Sequence, residues 1–232
     1  MKYEAILYDM DGTVLDTLGD LCDSVNCALT RFGYPPITQE QTAQYLGNGA
    51  KRLISLASGE AEGSDTAERV LAFYKPYYDA HCRIKTAPYE GIIPLMERMK
   101  ALGMKQAVIS NKPDSAVQPL VKEFFDGLLD YAVGESKGVR RKPAPDMVLA
   151  AADKLGVSAE KCVYIGDTEV DLLTAKNAGM DCIAVSWGFR STQQLKAAGA
   201  EIIADSVEEL EKALRQYRIM RYCLNPAALR SV

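Results

Sequence analysis

Short apolar runs rich in β-branched or aromatic residues recur along this chain, each followed by turn chemistry and a stretch of helical period. No other feature restricts the possible folds so strongly. Strands are read at 4–8, 105–110, 130–133, 162–166, 181–186 and 201–204, with helices near 92–102, 113–125, 145–155, 168–178, 191–198 and 206–219. Several helix ends are marked: Pro94 falls in a first turn, Gly103, Gly156 and Gly179 act as stops, and Ser206 with Glu209 has the spacing of a capping box. Strands alternating with helices predict a parallel sheet covered on both faces, the doubly wound α/β class.

Residues 17–85 break the alternation, because they carry helical period with no convincing strand between the helices. From Thr17 to Phe32 the residues Leu18, Leu21, Cys22, Val25, Leu29 and Phe32 recur at helical spacing, and Gly33 stops the run. Such a stripe is read as core. The expected organisation is an α/β core of residues 1–15 and 86–219 with a small all-helical cap, 16–85, inserted after the first strand. Two crossings near 14–17 and 84–90 join them. Residues 220–232 show no period and no assignable structure.

Composition narrows the function. At 232 residues and 48% hydrophobic content the chain can bury a sizeable core. Its 27 basic and 31 acidic residues give a net charge of −4 with no basic stripe, which favours small molecules or protein partners over nucleic acid. The six cysteines include no C-x-x-C pair, so reduced thiols and a cytoplasmic setting are expected. The chain opens on a strand-like run instead of a signal peptide, and no apolar stretch is long enough to span a membrane. Nothing in the sequence sets an oligomeric state.

Four signals suggest chemistry, and each has an ordinary structural reading beside it. Asp9-Met10-Asp11-Gly12-Thr13 follows the first strand. Ligands bind at the carboxyl ends of strands in such sheets, so the two acids suggest a nucleophile beside an acid/base, although Asp-Gly is also a common turn pair. Ser110-Asn111 ends the second strand, where a hydroxyl and an amide can donate to phosphate oxygens or simply leave the strand. Lys142 precedes Pro143-Ala144-Pro145 and a helix; it is either a solvated member of a basic loop or a cation fixed by the prolines at an anion-binding helix start. Gly166-Asp167-Thr168-Glu169-Val170-Asp171 follows a third strand. Its acids can complement the helix dipole, or Asp167 can offer a hard oxygen ligand to Mg²⁺ while Asp171 orients Lys142 or a metal-bound water.

Taken in this order, the four signals resemble the motifs of the haloacid dehalogenase superfamily: D-x-D-G-T, a strand-terminal Ser or Thr, a Lys, and G-D-x-x-x-D. The resemblance covers nearly the whole chain, helical insertion included, and the run Leu46-Gly47-Asn48-Gly49-Ala50 is similar to the phosphoglycolate phosphatase branch. It implies a Mg²⁺-dependent hydrolase of a small-molecule phosphate ester. Asp9 would be the nucleophile and Asp11 the general acid/base. The carboxylates of Asp9 and Asp167 and the backbone carbonyl of Asp11 would hold the metal, and Ser110, Asn111 and Lys142 would cradle the phosphoryl group. Gly12 permits a close turn, and Thr13 braces the loop or touches substrate. In the insertion, Lys51 or Arg52 beside the glycines is expected to meet a substrate carboxylate, or else to lie solvated on a helix face.

Alternatives stay within reach of the same motifs. A dehalogenase of this fold has no need of Asp11. A β-phosphoglucomutase-like sugar phosphomutase uses both aspartates but pairs them with a cap histidine just after the first motif, whereas the only histidine here is His81. A pyrophosphatase of the same family is a further alternative. A non-catalytic binding module would not need a nucleophile beside an acid, and a dinucleotide site is disfavoured because Arg52 takes the last position of the G-x-G-x-x-G pattern.

Overall fold

The structure is a computed structural model that describes residues 3–216. Its strands are β1 (Ala5–Tyr8), β2 (Leu15–Asp16), β3 (Ala87–Pro88), β4 (Lys105–Pro113), β5 (Tyr131–Glu135), β6 (Cys162–Gly166), β7 (Asp181–Val185) and β8 (Ile203–Ala204). Its helices are α1 (Leu18–Arg31), α2 (Gln39–Tyr45), α3 (Gly49–Ser58), α4 (Asp65–His81), α5 (Ile92–Ala101), α6 (Asp114–Phe124), α7 (Asp146–Leu155), α8 (Glu169–Ala178), α9 (Thr192–Ala197) and α10 (Val207–Gln216).

Six strands form one sheet in the order β5-β4-β1-β6-β7-β8, with every pairing parallel. All four residues of β1 are buried, which requires cover on both faces. The pleat divides them: Ile6 and Tyr8 join a core with residues of α5, α6 and α10, while Ala5 and Leu7 join a second core with residues of α7 and α8. This is the expected α/β class. The chain runs from β1 out through β4 and β5, then returns to β6 on the other side of β1. The strand order therefore reverses at β1, and the loops after β4, β1 and β6 meet at one edge.

Helices α1–α4 form a lobe with its own core, which includes Leu21, Val25, Leu29, Leu53, Val70 and Tyr74. The expected stripe in α1 is buried at Leu21, Cys22, Val25 and Leu29. The crossings on either side of the lobe pair as an antiparallel ribbon, Leu15 opposite Pro88 and Asp16 opposite Ala87. Buried Asp20 ties them further, accepting the backbone N–H groups of Ile84, Lys85 and Thr86 at 3.0, 3.0 and 2.9 Å and the Thr86 hydroxyl at 2.8 Å.

Some boundaries differ from the sequence reading. β4 continues to Pro113, beyond the expected end at 110. The capping box of α10 closes one residue early: Glu209 N–H donates to Ser206 Oγ at 3.3 Å, but the Glu209 carboxylate accepts from Asp205 N–H at 2.9 Å. The expected helix end at 219 and the segment 220–232 lie outside the described residues. The five described cysteines are free thiols. Among the described residues no helix is long and apolar enough to cross a membrane.

Candidate active site

Asp9 directly follows β1, and its Oδ1 accepts from Met10 N–H at 2.7 Å and pairs with Lys142 Nζ at 2.8 Å. That leaves Oδ2 for chemistry. Gly12 lets the following loop turn back, with φ of +83°. A side chain there would also collide with Asp167, since a Cβ would sit 2.3 Å from Asp167 Oδ2. Thr13 braces the same acid, its hydroxyl donating to Asp167 Oδ1 at 3.1 Å. The backbone N–H of Phe189 donates to the other oxygen at 2.7 Å.

Lys142 Nζ is saturated, contacting Asp9 Oδ1 at 2.8 Å, Asp171 Oδ1 at 2.8 Å and the Tyr164 hydroxyl at 2.9 Å. Its partner Asp171 is equally committed, with Oδ2 accepting both the N–H and the hydroxyl of Thr168 at 3.1 and 2.7 Å. Asp171 thus orients Lys142, one of the two roles the sequence left open.

Burial dominates the electrostatics. It pushes the Asp9 carboxyl up to about 7 against the pull of Lys142, and the charges of Asp171 and Asp11 add to the rise. Asp167 is also held well above the carboxylate range, by burial first and then by Asp171 and Asp9. Burial opposes the charge on Lys142, but Asp171 and Asp9 outweigh it and hold its pKa above the ordinary value.

Three buried acids facing one lysine leave negative charge to offset. Oxygens of Asp9, Asp167 and Asp171 lie within 4.8 Å of one another, a hard donor set suited to a divalent cation. Because Lys142 and Thr168 already occupy Asp171, the ligands that fit best are the Asp9 and Asp167 carboxylates.

Asp11 stands at the other side of the site, accepting from Ser110 Oγ at 3.3 Å and pairing with Lys112 Nζ at 2.6 Å. Lys112 was not singled out in the sequence, because β4 was read as ending at Ser110. Asn111, expected as a phosphate donor, lines the cavity. Its amide group donates to the carbonyls of Gly47 and Lys142, both at 3.0 Å, so it braces the core against the helical lobe.

A cavity of about 70 Å³ lies between the sheet edge and that lobe. Asp9, Asp11, Ser110, Lys112 and Lys142 line its floor, and Leu21, Leu46, Leu53, Tyr74 and Tyr78 line its roof. The turn at Gly47 and Gly49, with φ of +110° and +77°, seats the start of α3 on the core. Gly49, Ala50 and Leu53 of α3 face the cavity, whereas Lys51 and Arg52 do not line it. Lys51 is exposed and paired with Glu68 at 3.0 Å, and Arg52 is exposed. Both cations lie on the solvent side of the helix, the second of the two placements the sequence left open. His81, at the end of α4, is not among the lining residues either.

Arg190, also missed in the sequence, spans the two lobes. It pairs with Glu169 at 2.8 Å and donates to the carbonyls of Ala43 at 2.7 Å and Leu46 at 3.1 Å, at the end of α2.

The pattern of the haloacid dehalogenase-like hydrolases matches residues 6–185. Phosphoglycolate phosphatase 1 of Pseudomonas aeruginosa is 31% identical over 212 residues, covering 88% of this chain and 77% of that protein. N-acetylmuramic acid 6-phosphate phosphatase of the same organism is 29% identical over 217 residues, covering 90% and 94%. The crystal structure of a candidate phosphoglycolate phosphatase from Lactobacillus delbrueckii subsp. bulgaricus superposes with a TM-score of 0.87 at 44% identity, covering 92% of this chain and 99% of that one.

Proposed function

Because the chain belongs to the haloacid dehalogenase-like hydrolase family and is a phosphatase of it, we propose that it hydrolyses small phosphate monoesters, phosphoglycolate foremost, through an aspartyl phosphate on Asp9. The observation that carries this reading is the state of Asp9. One oxygen is fixed by Lys142 and a backbone N–H, the other takes no hydrogen bond or ion pair among the described residues, and a second carboxylate, Asp11, lines the same cavity.

Asp9 Oδ2 attacks phosphorus, and the bond to the ester oxygen breaks. Lys142 holds the nucleophile in line, while Ser110 supports the transferring oxygens. Asp11 gives its proton to the leaving oxygen and then takes one from the water that cleaves the phosphoenzyme, returning Asp9 to a carboxylate and releasing phosphate. Mg²⁺, held by the Asp9 and Asp167 carboxylates and the Asp11 carbonyl, would offset the repulsion between an anionic nucleophile and an anionic ester.

In this reading the helical lobe is a cap. The core residues around Asp9 meet a phosphoryl group that every phosphate ester offers, so discrimination falls to the residues that surround the leaving group. The apolar walls of the cavity suit a short leaving group. Phosphoglycolate links the reading to the Pseudomonas phosphatase, and N-acetylmuramic acid 6-phosphate is the named alternative among relatives.

The test is to quench turnover of phosphoglycolate with Mg²⁺ in acid and map the bound phosphoryl group by mass spectrometry. A phosphoryl group on Asp9 that forms and decays at the rate of turnover is expected. Phosphate release with Asp9 never modified would replace the covalent route by direct attack of water.

A further inference from the structure

Two lysine ammonium groups are buried in the floor of the cavity, and their surroundings differ. Lys142 has three acceptors for its three donors. Lys112 is only 7% exposed; among the described residues its Nζ forms an ion pair with Asp11 Oδ1 at 2.6 Å and donates a hydrogen bond to the hydroxyl of Tyr78. Its Nζ lies 4.5 Å from the centre of the Tyr78 ring, at the hydroxyl end, so the ring positions the hydroxyl that receives it. Tyr78 is stacked on Tyr74 at 5.6 Å, so the seat is stiff. A buried ammonium with a donor to spare, lining a cavity, is a position for an anion.

We propose that Lys112, seated on Tyr78, recognises a second anionic group of the substrate, such as a carboxylate one carbon from the ester oxygen. The inference rests on the phosphatase reading and gives it a specificity-determining residue. The placement suits that role. Lys112 follows Ser110 by two residues on β4, so it stands beside the phosphoryl position on the core. Tyr78 comes from the helical lobe, so the seat is complete only when that lobe lies over the sheet edge. Charge selection is thereby built from both lobes. The exposed cations Lys51 and Arg52 are not needed for it. A neutral tail would leave the third donor of Lys112 unpaired in a poorly hydrated space, which disfavours such substrates.

The experiment compares phosphoglycolate with ethyl phosphate, which has a tail of similar size and no charge, in the wild type, Lys112→Met and Tyr78→Phe, all with Mg²⁺. Because Lys112 also touches Asp11, both substrates should slow in Lys112→Met, and the ratio of the two kcat/KM values is the readout. The wild-type preference for phosphoglycolate should fall roughly 10- to 100-fold in Lys112→Met, with the loss mainly in KM. Tyr78→Phe keeps the ring but removes an acceptor. It should lower the preference a few-fold and keep the protein folded if the lysine variant does not fold. Equal losses for both substrates in each folded variant would overturn the proposal and leave Lys112 as a support for Asp11. No phosphate release from either substrate in the wild type would instead overturn the phosphatase reading.

Discussion

The sheet edge and the helical lobe face each other across one cavity, and they are built on opposite terms. On the sheet edge the central polar groups are tied down: Lys142 touches two aspartates and a tyrosine, and Asp171 spends both oxygens on fixed donors. On the lobe the cavity wall is leucine and tyrosine, with Lys75 and Asp79 one turn apart on α4. A surface held so tightly can perform one reaction with precision, and the groups it turns to the phosphoryl position meet what every phosphate ester offers alike. A wall of packed side chains can change its outline without disturbing the floor. On the proposed reading the chemistry belongs to the edge and the outline of the cavity to the lobe, with charge selection shared where Lys112 of β4 meets Tyr78 of α4, and the contrast can be broken at four points.

The largest effect is expected at Asp9. Asp9→Asn keeps the volume and removes the attacking charge, so turnover should fall on the order of 10⁴- to 10⁶-fold for every substrate alike. The variant should keep its far-ultraviolet circular dichroism and accumulate no phosphoenzyme. Retention of more than about a hundredth of wild-type activity would remove Asp9 from the chemistry.

Arg190 tests whether the two regions act together. Arg190→Ala takes hydrogen bonds from the end of α2 and the ion pair from Glu169, loosening the lobe while leaving the floor intact. A drop in kcat/KM of about tenfold is expected, with Asp9 still phosphorylated. If kcat/KM did not change, seating of the lobe would be irrelevant to turnover.

How far this contrast was legible in the sequence depends on the residue. Asp9, Ser110 and Asp167 were visible because each ends an apolar run, and a polar residue in that position needs a reason. Lys142 was visible because prolines follow it. Lys112 was hidden by a strand that runs to Pro113, so the residue looked like the start of a loop. Tyr78 sits in α4 at a spacing shared with ordinary core residues. Arg190 belongs to no local pattern, since its partners at the end of α2 lie more than 140 positions earlier. The faces of α3 were unreadable until its first residue, Gly49, was known.

The metal should show its effect on the floor as a dependence on pH. In the metal-free protein Asp9 titrates near 7, above its ordinary value of 3.8. Between these values the folded protein keeps a proton that the unfolded chain gives up. The contribution of Asp9 to stability is therefore complete below about 3.8, falls as pH rises and is lost by about 7. Mg²⁺ binds the ionised carboxylate, so it need displace no proton from Asp9 at pH 8 but must do so at pH 5.5. The rise in melting temperature on adding Mg²⁺ should be greater at pH 8 than at pH 5.5. An equal rise at both values would place the ion away from Asp9.

The smallest effect is expected at Lys51 and Arg52, where the sequence alone suggested a carboxylate contact. Helix α3 turns Gly49, Ala50 and Leu53 to the cavity. Positions 51 and 52 follow at about 100° per residue, which carries them round to the solvent face. Lys51 is already paired with Glu68, and both side chains are about half exposed, a pairing that contributes little to stability. Lys51→Ala and Arg52→Ala should therefore each leave kcat/KM within about twofold of wild type, with the order of phosphoglycolate and neutral esters unchanged. The outcome separates two ways in which a helical lobe can select an anion. If either variant lost its preference for phosphoglycolate while Lys112→Met kept it, the charge sensor would lie on the lobe alone, and α3 would have to rotate during turnover to bring it over the phosphoryl group.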